Sequence, residues 1–180
     1  MNRKIVDKLL STFGLLLAAV LLIAGILANW GGSFASTQVK NQLMEQQIFF
    51  PPAGSPAYKA LPASDAAAME KYAGQQMLTG AQAETYADHF IRVHLKGMGM
   101  TYSQASAKAM ADPKNAQLTG LVQTLFRGET LRGLLLNAYA FGFLANIANL
   151  AAIVCYIGAA LFLLLALLGF AHARKAQVSA

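Results

Sequence analysis

Chemistry that depends on thiols or gathered histidines has little material in this chain. There is one cysteine, Cys155, and there are three histidines. A lone thiol excludes an intramolecular disulfide and CxxC chemistry. Cys155 also lies inside a long apolar run, where a small packing residue is its plain reading. Charge is scarce too: 12% of the residues are Asp, Glu, Lys or Arg, about half the share usual in soluble domains. The 14 Lys and Arg outnumber the 8 acids, for a net charge of +6. They form no basic cluster with interleaved aromatics, so nucleic acid is not an expected partner. Neither a G-x-S-x-G turn nor a glycine-rich phosphate loop occurs, and no run reads as a strand. The longest absence is of charge itself. From Gly133 to Ala171 there is no Asp, Glu, Lys, Arg or His.

That stretch is what the sequence has in abundance. As helix, at about 1.5 Å per residue, it is nearly twice the roughly 30 Å hydrocarbon core of a bilayer. It therefore holds a membrane span and something more. A second apolar run, Thr12 to Ala28, is followed by Trp30, which suits an interfacial aromatic. Ser33-Phe34-Ala35 loosely fits a signal-peptidase site, but the run exceeds a usual signal core and reads as an uncleaved signal anchor. Gly14 with Ala18, and Ala24 with Ala28, are small-x-x-x-small pairs that admit a close neighbouring helix. Arg3, Lys4 and Lys8 precede the first run, and Arg174 and Lys175 come after the second. Positive flanks favour the cytoplasm, so both termini are expected inside. The expected division is a cytoplasmic head at 1–10, a span at 11–30, an extracytoplasmic domain at 31–146, a span at 147–170 and a cytoplasmic tail at 171–180. The second span would measure about 36 Å as helix.

The expected fold is all-α: two transmembrane helices flank an extracytoplasmic helical bundle, and the last helix runs continuously into the second span. Gly31-Gly32 is expected to break the first helix, with Ser36 or Thr37 capping a short polar helix to about Gln47. Prolines 51, 52, 56 and 62 keep 49–63 extended, making a strap whose Phe49, Phe50 and Tyr58 cover the helices downstream. Ser64 is the expected cap of a helix to about Leu78. Thr79 with Gln82, and Thr101 with Gln104, have capping-box spacing. Between them Ala83, Tyr86, Ala87, Phe90, Ile91 and His94 make one apolar stripe at helical spacing. Glu84, Asp88 and Arg92 form an outer ladder. After Pro113, a helix starting near Asn115 passes Arg127, Glu129 and Arg132 and merges into the charge-free stretch. Asn137, Tyr139 and Asn146 are polar handles on its extracytoplasmic part.

Candidate chemistry is thin. His89 and His94 are five apart and do not share a helix face as a metal pair would. His94 on the stripe reads as a hydrogen-bonded core histidine, and His89 as a solvent-facing one. The sharper alternative is Cu(I) on His94, Met98 and Met100, with Met77 or Met110, since thioethers are soft ligands. Methionine is equally ordinary core filler. Glu84 and Asp88 read as a solvated face. No catalytic or cofactor-binding residue is assigned, and no cofactor is implied.

Phe126-Arg127-Gly128-Glu129-Thr130-Leu131-Arg132-Gly133-Leu134-Leu135-Leu136-Asn137-Ala138-Tyr139, with Tyr102 and Pro113 upstream, resembles a family of uncharacterised bacterial two-span membrane proteins found mainly in actinobacteria. The likeness takes in Phe50-Pro51 and the Asp88-His89-to-His94 helix, and so most of the chain. Members often carry an aromatic ring-opening dioxygenase label, which implies iron held by two histidines and a carboxylate; this sequence offers no such set in one compartment. The resemblance implies the two-span topology in the cytoplasmic membrane and no activity. The expected function is non-enzymatic: an accessory, assembly or scaffold subunit contacting membrane lipid and other integral membrane proteins, or itself, with no small-molecule substrate. Partner contact or internal packing would involve Phe49, Phe50, Tyr58, Tyr86, Phe90, Arg127, Arg132, Asn137, Tyr139 and Asn146. The alternative is an extracytoplasmic sensor or ligand-binding module that signals through a partner.

Overall fold

A computed structural model of the chain describes residues 3–175. Met1 and Asn2 of the head and residues 176–180 of the tail lie outside the described residues. The order is α1 (Arg3–Glu45), α2 (Pro56–Lys59), α3 (Ala63–Glu70), α4 (Gly80–Tyr86), a π-helical segment (Ala87–Ile91), α5 (Arg92–Gly97), α6 (Tyr102–Ala111) and α7 (Ala116–Lys175). No strand occurs among the described residues; one isolated antiparallel bridge joins Phe49 and Gln76. The fold is all-α, and α1 and α7, 43 and 60 residues long, are each long and apolar enough to cross a membrane. The chain divides into two compact units, residues 3–34 with 144–175, and Ala35–Phe143.

In the first unit, α1 and α7 run antiparallel. A Cβ placed at Gly14 would lie 3.6 Å from the Ala166 Cβ, and one at Gly25 2.8 Å from the Tyr156 ring. The contact line is spaced by sevens. Ser11, Ala18, Gly25 and Gly32 are the buried residues of α1 in this unit, and Ala145, Ala152, Ala159, Ala166 and Ala173 those of α7. A strict seven-residue recurrence has a period of 3.5, which keeps a seam facing its partner only in a left-handed supercoil. Every seam residue is small, which suits pairing in lipid, whose tails are as apolar as leucine. Hiding large side chains therefore gains little there, and close backbone packing is what favours pairing. Large side chains such as Phe13, Leu16, Ile153 and Leu161 accordingly point outward.

Gly31-Gly32 does not break α1, which continues to Glu45 in place of a separate short helix capped at Ser36 or Thr37. A glycine inside a helix costs about 1 kcal/mol relative to alanine. At Gly32 the loss is offset by contact: a Cβ there would run into the Asn149 Oδ1 and lie 2.9 Å from the Ala145 carbonyl. Of the two small-residue pairs, Gly14 and Ala18 face α7, whereas Ala24 is exposed and Ala28 half-buried.

The second unit has one apolar core. Val39 and Leu43 of α1, Phe50, Tyr58, Leu61, Met69, Met77, Ala83, Ala87, Ile91, Leu95, Ala105, Leu125 and Leu135 build it. Ser64 does not cap α3; Pro62 holds that position, and its carbonyl accepts from the Asp65 and Ala66 amides. The helix also stops at Glu70 rather than near Leu78. Gly74, at φ 71°, turns the chain back, and 74–77 then runs beside the proline-rich strap. The Phe50 amide donates to the Gln75 carbonyl at 2.9 Å, and the Met77 amide to the Ile48 carbonyl at 2.8 Å. Prolines lack the N–H that a helix needs and interrupt it, so this short pairing supplies bonds that a helix would have made internally. Both capping boxes form at the expected positions.

The seam makes a direct prediction. With Cys155 replaced by serine, Gly14→Cys with Ala166→Cys should oxidise to an intramolecular bridge in membranes, because the 3.6 Å Cβ separation lies within the disulfide range. Leu16→Cys with Ala166→Cys should stay reduced, since Leu16 points outward. Non-reducing gel mobility distinguishes the two.

Candidate functional site

The Thr79 hydroxyl accepts from the Gln82 amide and fixes the start of α4, from which the helical stripe runs. At Ala87–Ile91 the helix widens to π geometry. Such a segment takes one more residue per turn and rotates the side chains beyond it. Burial then passes through Ala83, Ala87, Ile91 and Leu95, at intervals of four, rather than onto His94. His94 is exposed, contrary to its expected place in the core; its Nδ1 lies 2.7 Å from the Phe90 carbonyl. Tyr86, Phe90 and His94 instead form a ladder of rings, 4.9 and 4.4 Å between successive centroids. Phe50 meets Tyr86 edge-on at 5.5 Å.

The same widening directs Asp88 and His89 to partners. His89 does not simply face solvent: its Nδ1 lies 2.7 Å from Asp65 Oδ1 on α3, and its side chain is 34% exposed. Asp88 is more than a rung of an outer ladder. Its carboxylate accepts from the Arg132 Nη2 of α7 at 2.8 Å, while the Arg92 Nε donates to its backbone carbonyl at 3.0 Å. Arg132 also lies 3.9 Å from Glu129. The Arg132 Nε is buried without a hydrogen-bond partner.

Beside these pairs opens a cleft of about 390 Å³ between α5, the start of α6 and α7. Leu95, Leu125 and Met100 form its apolar part, and Leu95 and Leu125 are buried. Arg92, Lys96 and Arg132 surround it with positive charge, with Glu129 the single acid among its lining residues. Arg132 is a contact residue that the sequence leads one to expect; helical spacing gives no reason to single out Arg92 and Lys96 for binding. Their common destination depends on α5 and α7 meeting, which spacing alone does not reveal. Leu95 reaches α7 closely, its Cδ2 2.6 Å from where a Cβ would sit on Gly128.

The remaining expected residues separate. Phe50 and Tyr58 are buried as the strap's cover, whereas Phe49 is 55% exposed. The Tyr58 hydroxyl donates to the Pro51 carbonyl at 2.6 Å. Burial, and secondarily Glu70 and Tyr86, raises its phenol above the ordinary value; burial does the same for Tyr86. Tyr58 thus stays protonated as a structural donor. Arg127, Asn137 and Asn146 are exposed, and Tyr139 is half-buried. Met98 and Met100 are half-buried against the core, Met77 is fully buried, and Met110 is 74% exposed. Among the described residues no three His, Cys, Asp or Glu side chains gather as a metal site would require. His172 Nε2 lies 3.9 Å from Asp7 Oδ2.

In the membrane-compatible pair, a groove of about 440 Å³ runs along one side of the seam. Ala18, Ala19, Ala159 and Ala160 line it together with Leu15, Leu22, Tyr156 and Leu163.

The Asp88–Arg132 pair ties the π segment to α7, and a double-mutant cycle measures it. Asp88→Asn and Arg132→Gln should couple by about 1 kcal/mol or more in unfolding free energy, as expected for a half-buried, directly bonded ion pair. Additive effects would show the pair to be energetically idle.

Comparison with protein-family models, with curated proteins and with solved structures finds no match.

Proposed function

We propose that this chain is a non-enzymatic accessory or assembly subunit of the bacterial cytoplasmic membrane, with both termini cytoplasmic and residues 31–146 outside. Its task is to hold a helix of another membrane protein. The groove along the α1–α7 seam carries the reading. Ala19 and Ala160 are exposed within it, so a third helix can approach the backbones closely, the contact on which helix association in lipid depends. The leucines and Tyr156 around it supply side-chain packing. Asp88 with Arg132 and Asp65 with His89, in the other unit, are engaged in bonds that tie its elements together, which favours a scaffold over a catalyst. The basic flanks support the orientation. The resemblance to bacterial two-span proteins supports the same topology.

Photo-crosslinking in native membranes tests the proposal. A photoreactive residue at position 19 or 160 should give a discrete protein adduct, and one at the outward-facing Ile153 should give mainly lipid adducts. Filling the groove with Ala19→Leu and Ala160→Leu should reduce the protein adduct several-fold. Lipid adducts alone at all three positions would overturn the proposal.

A further inference from the structure

The cleft beside α5 has a chemistry that the proposed scaffold role leaves unused. Its apolar part is Leu95, Leu125 and Met100; its charged part is Arg92, Lys96 and Arg132. Neither half alone specifies a ligand, but their adjacency does. A neutral apolar molecule would leave Lys96 unmatched, and a bare inorganic anion would make no use of the half-buried Met100. We infer that this cleft binds an anionic amphiphile, with a carboxylate or phosphate head at Arg92, Lys96 and Arg132 and a short apolar portion against Leu95, Leu125 and Met100.

Three observations support that assignment independently of the membrane groove. Lys96 is exposed and has no ion pair among the described residues, so its charge is free for a ligand. The Arg132 Nε is buried without a hydrogen-bond partner although its Nη2 is bound to Asp88. Arg132 is therefore held in place through Nη2 and keeps a donor on the same guanidinium that the fold leaves unused. The volume of about 390 Å³ is in the range of small-molecule sites. Glu129, 48% exposed and 3.9 Å from Arg132, limits the excess positive charge around the head. Free amphiphiles and the headgroups of anionic lipids share this chemistry, and the test separates the two sources.

The readout is the Met100 methyl group, which lines the cleft, in full-length protein labelled with ¹³C-methyl methionine and assigned through Met100→Leu. In nanodiscs of phosphatidylcholine, octanoate or hexyl phosphate should shift the Met100 signal saturably. The signal of the buried Met77 should stay still. Replacing phosphatidylcholine with phosphatidylglycerol, with no added ligand, asks the same of a lipid headgroup. A shift in the first arm identifies a free amphiphile as sufficient, and a shift only in the second identifies the headgroup. Lys96→Glu should weaken either by tenfold or more, and Arg92→Gln should weaken it while Arg92→Lys largely restores it. Octanol should not compete. No saturable Met100 shift in either arm overturns the inference, as does equal binding of octanol or indifference to Lys96→Glu. The crosslinking result at positions 19 and 160 bears on none of these outcomes, so the two proposals fail separately.

Discussion

The close approach of α1 and α7 governs the outer surface, the groove and the fate of Gly31-Gly32. Two apolar helices in lipid have little to gain by concealing leucine, because the surrounding tails already solvate it. They pair by bringing backbones together, and small residues at intervals of seven make that possible. Gly31-Gly32 belongs to the same logic. In a soluble helix the pair would be a weak point; beside Ala145 and Asn149, the missing side chain at Gly32 is the condition for contact. The large side chains displaced from the seam become the outer surface, and the alanines next to it become the groove.

The second unit obeys the ordinary rules of a water-compatible core. Large side chains go inside, and backbone groups released by the prolines are paired again between the strap and residues 74–77. Its unusual element is the π segment. One extra residue in a turn moves Leu95 into the core and His94 out of it, and it sets Asp88 against Arg132 and His89 against Asp65. The cleft exists because Arg92, Lys96 and Arg132 are then brought to the same opening. Of these three cations, Arg132 holds two elements together through Asp88 and Arg92 lies 3.9 Å from the same carboxylate, while Lys96 has no fixed counter-ion among the described residues.

The two candidate sites suit different partners for the same physical reasons. A groove of alanines and leucines offers close packing with almost no polar specificity, which fits a helix in lipid. A cleft with cations beside leucines offers orientation, because head and tail of a ligand cannot exchange places. The proposed partner and the proposed ligand would therefore share no residue.

Much of the architecture is legible in the chain. Helical class, two membrane-length apolar runs, the unbroken last helix and both capping boxes rest on local composition and spacing, which act within a few turns. The seven-residue recurrence is legible too, but only when both apolar runs are compared, since small residues are common in either run alone. Other features are out of reach. Helical spacing carries the stripe past Phe90 to His94 because nothing local announces a π turn, and Ser64 looks like a cap because its competition with Pro62 is decided in three dimensions. Neighbouring residues alone settle where helix is favoured and where lipid is tolerated, because both are sums over short stretches of chain. Packing settles that Gly32 is a contact rather than a break, that Asp88 and His89 are bonded, and that Arg92, Lys96 and Arg132 share one cleft. Those outcomes depend on residues far apart in the chain, and their interaction energies exist only once the helices have met.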